Sequence, residues 1–412
     1  MNLAQLSLGL FLLMAFGTLR QEPSIAIKAS IILDGKGRIL QNATIVVQGS
    51  KIMRVGGVVP AGATIYDLRG LTVTPGWIDT HAHLAYHFTN GRLADKDEPV
   101  EQAILAAAEN AVATLEAGFT TVQSPGSLED KYLRDVIARG ILPGPRILTS
   151  FEPITDNKLT PDEIRKVVKE RKEQGADFIK IFASKSIREG GGQTMSNAQL
   201  DAACGEAKAI GLRTIVHAHS AASAKAATLA GCTSIEHGAY LNDDVFDLMA
   251  KHGTYYDPNI GLVLQNYLAN KPSYIGIGNY NEEGFAFMEK GVQIVMATFK
   301  KALKHPDLKI IYGTDAVAGA HGRNYEEYIV RVRDGGQDPM AALISVTSLS
   351  AKSLNLADRL GSIVPGMEAD IVAFDGNPLE DVTAARRAIF VMKSGLVIEN
   401  LAHNAKRFKT NG

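Results

Sequence analysis

The feature of this sequence that most limits its fold is a long alternation of strand-like and helix-like segments between residues 75 and 357. Amphipathic stretches such as PDEIRKVVKERKEQG and NAQLDAACGEAKAIG separate the strand-like ones, and each finishes at a glycine, as helices often do. Eight strands that alternate with helices over about 280 residues match a (β/α)8 barrel, for which ~250 residues are typical. The predicted strands end near His81, Gln123, Thr149, Phe182, His217, His237, Asp257 and Asp315.

A doubly wound open sheet is the alternative α/β arrangement, but no glycine-rich nucleotide fingerprint follows the first strand. Short β-type runs open the chain (SIAIKASIILD) and close it (ADIVAFDG, RRAIFVMKSGLVIEN), and neither group is long enough to bury a core alone. The sequence therefore predicts an α/β protein with a TIM barrel over residues 75–359. A small β-sandwich domain is predicted from both chain ends, residues 23–74 plus 360–408.

Charge and cysteine content exclude several classes of function. The 412 residues carry 43 Lys+Arg and 44 Asp+Glu, a formal net charge of -1, so composition gives no reason to expect a nucleic-acid partner. A small-molecule substrate is expected instead. The two cysteines, Cys204 and Cys232, cannot form a thiolate zinc site and could form at most one disulfide. We expect them to be two small buried residues.

The N-terminal segment looks like a targeting signal. Residues 6–16 (LSLGLFLLMAF) are apolar but too few to span a bilayer, which takes ~20 residues, and Ala15 and Gly17 offer a small-residue cleavage site. Residues 1–22 are therefore predicted to be a signal peptide of a secreted or periplasmic protein. An uncleaved interfacial anchor is the alternative, because the segment before the apolar run has no Lys or Arg. No membrane span is expected in the mature chain.

Pairs of histidines follow two of the predicted strands. His81 and His83 are two residues apart, and so are His217 and His219, so that each pair faces one side of its strand. Neutral imidazoles side by side suit a divalent metal ion, and two hydrogen-bonded structural histidines are the alternative for a single pair. Lys180 lies in the otherwise apolar run DFIKIF, where a buried ammonium is costly.

His237 and Asp315 end two further predicted strands. Barrel active sites form where the carboxyl ends of the strands meet, and chance would scatter these residues over both ends. Taken together, they predict a metal centre at that rim. Imidazole and carboxylate ligands suit zinc, manganese, cobalt and iron alike, and the number of ions stays open.

The order of these residues resembles that of the amidohydrolase superfamily. The similarity is greatest to the branch of imidazolonepropionase and of the metal-dependent prolidase-like and Xaa-Arg/Lys carboxypeptidases, and it extends over the whole chain after the leader. The strings that carry it are TPGWIDTHAH (74–83), IEHG (235–238), GTDA (313–316), HGRN (321–324) and GSIVPGMEAD (361–370).

The resemblance implies a binuclear site with two divalent ions, of which zinc is the expected metal. It implies that His81, His83 and Asp315 hold the more buried ion and that His217 and His237 hold the other. Lys180, carboxylated on its Nζ to N6-carboxylysine, would bridge them. Asp315 would act as general base towards a metal-bridging hydroxide. Such barrels are commonly homo-oligomers, which is the assembly expected here.

Substrate contacts are less well defined by the sequence. His219, Tyr240 and His321 are the candidate substrate-binding residues, with a structural role as the alternative for each. A glycine-rich loop follows the fourth strand, and its Lys185 and Arg188 are expected to be a solvated charge pair rather than a grip on a substrate carboxylate. The segment SFEPITD (150–156) lacks the glycine- and histidine-rich string of many relatives, so no relative's specificity transfers directly.

Three functions are compatible with this pattern. The leading hypothesis is a metal-dependent hydrolase of carbon–nitrogen bonds, of the carboxypeptidase or dipeptidase type, acting on a dipeptide-like or N-acyl amino acid substrate. A lactonase, esterase or phosphotriesterase could use the same binuclear site. A binding protein on a retired hydrolase scaffold is the third, but it predicts lost ligands and none of the expected ones is missing.

Overall fold

A computed structural model of the chain describes residues 24–95 and 97–402. The predicted leader, residues 1–22, lies outside the described residues, as do positions 23 and 403–408 of the predicted β-sandwich domain. Among the described helices, none combines the length and the hydropathy that a bilayer span requires.

Strands and helices alternate along most of the described chain. The strands are β1 (Ser24–Leu33), β2 (Ile39–Gln48), β3 (Lys51–Val55), β4 (Thr64–Pro75), β5 (Trp77–Asp79), β6 (Phe88–Thr89), β7 (Arg92–Leu93), β8 (Phe119–Ser124), β9 (Arg146–Thr149), β10 (Phe178–Phe182), β11 (Arg213–Ser220), β12 (Ser234–Tyr240), β13 (Tyr255–Asp257), β14 (Lys309–Ile310), β15 (Ile371–Phe374), β16 (Ala388–Lys393) and β17 (Leu396–Asn400).

The helices are α1 (Val100–Glu116), α2 (Glu129–Ala138), α3 (Pro161–Gln174), α4 (Asn197–Ala209), α5 (Ala221–Leu229), α6 (Asp243–His252), α7 (Val263–Ala269), α8 (Lys271–Tyr274), α9 (Glu282–Ala302), α10 (Tyr325–Arg333), α11 (Pro339–Ile344) and α12 (Ser350–Ser353). Short 3₁₀ turns span Ile187–Glu189 and Val382–Arg386, and a π-helical turn spans Ser345–Leu349.

Helix α3 illustrates how local sequence sets these bounds. The Thr160 hydroxyl accepts a hydrogen bond from the Glu163 amide and the Glu163 carboxylate accepts one from the Thr160 amide, so both close a capping box. Pro161 occupies the first turn, and Gly175 ends the helix in the left-handed conformation at φ 91°. The helix predicted for this stretch is confirmed.

Eight parallel strands make up two sheets, in the orders β5-β8-β9 and β10-β11-β12-β13-β14. Isolated parallel bridges join the sheets at both junctions, Ile154 with Ile181 and Ala82 with Ala316. Parallel strands linked by helices form an α/β fold of the TIM-barrel type. At the two junctions, however, single bridges replace a continuous ladder.

Strands from both chain ends pair in one seven-stranded sheet of order β17-β16-β15-β4-β1-β2-β3. The N-terminal and C-terminal strands of this sheet meet at the antiparallel pair β15–β4, in which Ile371 lies opposite Pro75. Buried aliphatic residues such as Ile27, Val47 and Met392 form a cluster of their own against it. That this sheet folds as a sandwich and as a separate domain, with the predicted limits, stays a prediction.

Two of the strands that carry predicted site residues end earlier in the structure than predicted. Strand β5 ends at Asp79 and strand β14 ends at Ile310, so His81 and Asp315 lie in the segments that follow these strands rather than on them. Backbone hydrogen bonds still join the two segments, because the Thr314 and Asp315 amides both donate to the His81 carbonyl, at 3.3 and 2.6 Å. Asp315 also has a φ of 51°, outside the β region.

The buried carboxylate of Asp79 ties these two segments together. Its Oδ1 accepts from the amides of His81 and Thr314, at 3.0 and 3.1 Å. Its Oδ2 accepts from the Thr314 hydroxyl at 2.6 Å and from the Asn324 side-chain amide at 2.7 Å. Asp79 therefore fixes the spacing between the chain around His81 and the chain around Asp315.

Both cysteines are buried, as expected, but the preference for unpaired residues is wrong, because Cys204 and Cys232 form a disulfide in which their Cα atoms are 5.2 Å apart. They are separated by 28 residues in the sequence. Helix α4 carries the first cysteine, and the chain returns through β11 and α5 to place the second beside it. Pattern alone does not give that tertiary proximity, which a disulfide requires.

Removing this disulfide should destabilise the protein. The double variant Cys204→Ala with Cys232→Ala should lose about 2–4 kcal/mol of unfolding free energy, because the cross-link restricts the unfolded chain. Denaturant titration of the variant, with reduced wild type as the matched control, measures the loss. Two reactive thiols in denatured but unreduced wild-type protein would contradict the assignment.

Candidate metal centre and active site

Four of the predicted metal ligands meet around the imidazole of His81. Its Nε2 lies 3.5 Å from the Asp315 Oδ1 and 3.4 Å from the Lys180 Nζ. The His83 Nε2 lies 3.2 Å from the same Asp315 oxygen. His81, His83 and Asp315 thus offer three donor atoms close enough to hold one metal ion.

His217 and His237 complete the group from strands β11 and β12. Their ring centroids are 4.6 Å apart, and the His237 ring lies 5.2 Å from that of His81. His219 is 4.7 Å from His217, in keeping with the predicted common face of this pair. One cavity of about 160 Å³ is lined by all six predicted ligands, namely His81, His83, Lys180, His217, His237 and Asp315.

The three candidate substrate residues are placed differently. His219 lines the cavity. Tyr240 and His321 are not among its lining residues. Tyr240 is half-buried. Its ring packs closely against Gly191, where a Cβ atom would lie only 3.0 Å from the Tyr240 ring. The Nε2 of His321 lies 3.2 Å from the Tyr86 carbonyl oxygen.

Two of the site residues have left-handed backbone conformations, His237 at φ 68° and Asp315 at φ 51°. Such conformations cost non-glycine residues about 1–3 kcal/mol each and persist only where the surroundings hold them. The Tyr256 hydroxyl donates to the His237 carbonyl at 3.2 Å, and the His81 carbonyl accepts from the Asp315 amide. The fold therefore enforces the direction in which both side chains point.

Burial sets the charge of the donor groups. It lowers the pKa values of His81, His217 and His237 well below the usual range, so that these imidazoles are neutral and carry a free lone pair. Burial also lowers the pKa of the Lys180 ammonium. For Asp315, burial raises the pKa, but His81 and the hydrogen bond from His83 bring the net value below the usual one.

The donor set fits divalent metal ions. Four imidazoles, one carboxylate and one amine are nitrogen and oxygen donors of the kind that hold zinc and similar ions. Within the part of the chain that the structure describes, the buried Nδ1 atoms of His83 and His219 have no hydrogen-bond partner. An uncompensated group of this kind is unfavourable unless a ligand or an ion satisfies the site.

Glu236 is a site residue that sequence reasoning missed. Its Oε2 lies 2.8 Å from the His81 Nδ1, while its Oε1 accepts from the Ser234 hydroxyl. Burial raises its pKa to about 7. A carboxylate on the far nitrogen of a ligating histidine fixes the tautomer and the ring orientation. An acidic residue within the buried strand Ser234–Tyr240 was the available signal, of the same kind as Lys180.

The donor atoms of His81, Glu236 and Asp257 also lie within 4.8 Å of one another, which is close enough for them to share one ion. Hydrogen-bonding groups already surround this second carboxylate: the Thr80 hydroxyl donates to its Oδ2 at 2.7 Å, and the Arg331 guanidinium lies 3.5 Å from its Oδ1. We therefore interpret Glu236 and Asp257 as a hydrogen-bonded network that holds the His81 ring in place, and not as ligands of a separate metal ion.

Arg188 corrects another expectation. It is half-buried and lines the cavity, with its guanidinium 4.1 Å from the ring centroid of Tyr280. Its Nε donates to the Asn279 Oδ1 at 2.8 Å. Lys185 is exposed. The expected solvated pair is wrong for Arg188, because the 3₁₀ turn Ile187–Glu189 directs the two basic side chains differently.

The family model of the amidohydrolase family matches residues 72–401. The chain therefore belongs to the amidohydrolase family, and it is an enzyme of the hydrolase class. Among solved structures, a Xaa-Pro dipeptidase with methionine bound in its active site superimposes with a TM-score of 0.83 and 32% identity, covering 92% of this chain and 100% of that one.

Two curated relatives extend the comparison. An imidazolonepropionase of Paracoccus denitrificans is 26% identical over 83% of this chain and 89% of its own length. The ochratoxinase of Aspergillus niger is 29% identical over 226 residues, which are 54% of this chain. The match spans only 45% of the ochratoxinase's own length.

Glu236 should strengthen metal binding through His81. Glu236→Gln removes the charge behind the His81 ring and should weaken zinc affinity roughly 10-fold, within the range usual for such partners. Competition with a chromogenic chelator measures this change. The matched control is Glu98→Gln, which alters the equivalent contact of 2.7 Å to His87 away from the donor cluster. Equal zinc affinity in wild type and Glu236→Gln would contradict the role.

Proposed function

We propose that the protein hydrolyses the amide bond of a small dipeptide-like or N-acyl amino acid substrate, as a metal-dependent carboxypeptidase or dipeptidase. The observation that carries the proposal is the convergence of six donor side chains on one cavity. The fold shared with a Xaa-Pro dipeptidase supports amide chemistry over other hydrolytic reactions.

The proposed metal ligands fall into two sets. His81, His83 and Asp315 would hold the more buried divalent ion, and His217 and His237 the second. Lys180 would join the sets as a carbamate, which needs a neutral amine; burial of its Nζ favours that form. Divalent ions held there would supply Lewis-acid chemistry, acidifying water and polarising the scissile carbonyl. Zinc is the metal that we propose.

Asp315 is the proposed general base. Its carboxylate is ionised and lines the cavity, so it can take a proton from the attacking water and deliver it to the leaving amine nitrogen. Its contact with His83 fixes the carboxylate orientation. We propose His219 as a substrate contact from its place in the cavity wall. For Tyr240 and His321, a structural role agrees better with their positions outside it.

We propose a secreted or periplasmic location. The disulfide between Cys204 and Cys232 supports it, because disulfides persist in oxidising compartments. The leader predicted over residues 1–22 agrees with it. Homo-oligomerisation stays a prediction.

A substrate panel tests the proposed function. Zinc-reconstituted protein should hydrolyse free dipeptides and N-acyl amino acids faster than lactones, carboxylic esters or phosphotriesters. Asp315→Asn, with an unchanged melting temperature, should lower amide turnover roughly 10²–10⁴-fold, the contribution usual for a general base. Faster turnover of lactones or phosphotriesters would favour the alternative hydrolases. Near-normal activity of Asp315→Asn would remove Asp315 as the base, and a protein that binds no metal and turns over nothing would be a retired scaffold.

Lys180 should determine metal content. Lys180→Ala removes the amine that would become the carbamate, so metal bound per chain should fall, with partial recovery in small carboxylates such as acetate. Elemental analysis after gel filtration measures the stoichiometry. Lys185→Ala, which changes an exposed lysine five residues later, is the matched control. An unchanged stoichiometry in Lys180→Ala would rule out the bridge.

A further inference from the structure

One charged side chain in the cavity wall has no part in the donor cluster. Of the described residues that line the cavity, Lys180, Arg188 and Asp315 carry formal charge. Lys180 and Asp315 belong to the proposed metal centre. Arg188 therefore remains as a cation that faces the same space as the reacting groups.

The contacts of Arg188 are with neutral groups. Its Nε donates to the Asn279 side-chain oxygen, and its guanidinium lies over the rings of Tyr280 and Tyr267, at 4.1 and 5.4 Å from their centroids. Within residues 24–95 and 97–402 no carboxylate forms an ion pair with it, and Asp315 acts on it only through longer-range electrostatic attraction. A half-buried guanidinium without a paired anion is unfavourable, and its fork of N–H donors matches a carboxylate.

The turn that carries Arg188 is tightly packed. A side chain at Gly191 would come within 2.7 Å of the His219 Cβ, and one at Gly291 of helix α9 would come within 2.7 Å of the Ile187 Cδ1. Asn279 holds the turn from both sides, because its amide also donates to the Glu189 carboxylate at 2.9 Å. The guanidinium is therefore preorganised, which reduces the entropy lost on binding.

The rest of the wall limits the substrate side chain. Aliphatic side chains line part of the cavity. They come from the turn itself and from helices α7 and α9, and include Ile187, Val263, Leu264 and Val295. Among the described lining residues, Asp315 is the one carboxylate, and the metal centre uses it. A basic substrate side chain would find no counter-ion, whereas an apolar one would bury its surface.

We infer that Arg188 binds the free α-carboxylate of substrates whose leaving amino acid has an apolar side chain. The inference rests on the proposed amide hydrolysis and narrows its substrates: C-terminal amides and leaving residues with a basic side chain, such as arginine, should be cleaved more slowly. Arg188 is thus a specificity-determining residue. It acts by holding the carboxylate, while the reacting carbonyl lies at the donor cluster.

Kinetics with paired substrates test the inference. The zinc-loaded wild type should cleave N-acetyl-L-leucine in preference to N-acetyl-L-leucinamide and N-acetyl-L-arginine. Arg188→Met should lower kcat/KM for N-acetyl-L-leucine roughly 10- to 100-fold, mainly through KM, since a hydrogen-bonded charge pair is lost. It should leave the amide analogue unaffected, and Arg188→Lys should recover part of the loss. Lys185→Met, in the same loop, is the matched control.

Binding separates this inference from the proposed function. Calorimetry should find that wild type binds L-leucine more tightly than L-leucinamide and that Arg188→Met abolishes the difference, whether or not amides are cleaved. Amide hydrolysis without that difference would overturn the role of Arg188 and leave the proposed function standing. An Arg188-dependent difference in binding without any amide turnover would overturn the proposed function and leave the role of Arg188 standing. Equal loss on both substrates in a folded Arg188→Met would also overturn it.

Discussion

The hydrogen bonds of Asp79 are the constraint on which the centre depends. One buried carboxylate accepts from His81, from both donors of Thr314 and from Asn324, and so joins the segments that carry His81 and Asp315. Burial raises the pKa of Asp79 to about 7, against the effect of these donors. A buried carboxylate is unfavourable in itself, but this one holds His81 and Asp315, two proposed ligands from opposite ends of the barrel sequence, with donor atoms 3.5 Å apart.

The centre is built from groups that would be unfavourable anywhere else in a protein interior. Burial lowers the pKa of Lys180, which favours the neutral amine that the proposed carbamate requires, and it raises the pKa of Glu236, the partner of His81. The left-handed backbone at His237 and Asp315 adds strain of the kind found at functional sites. These buried and strained groups lower the stability of the fold, and they hold the donor side chains in fixed positions around one cavity.

Prediction from the sequence succeeded where chemistry and strand periodicity coincide. The two His-x-His pairs, Lys180 and Asp315 lie on parallel strands or in the segments that follow them, and parallel topology brings such positions to one end of the fold. Prediction failed where a contact depends on packing between distant segments. Arg188 was assigned to solvent because its ring partners, Tyr267 and Tyr280, are about 80–90 residues later in the chain.

The sequence by itself determined the α/β fold of the TIM-barrel type, the family and the residues able to hold metal, because these depend on periodicity and residue type. The tertiary structure decided the rest. It joined Cys204 to Cys232, placed Glu236 behind His81, and turned Arg188 into the cavity. Each of these is a distance between segments far apart in the chain, and only the packed fold sets such distances.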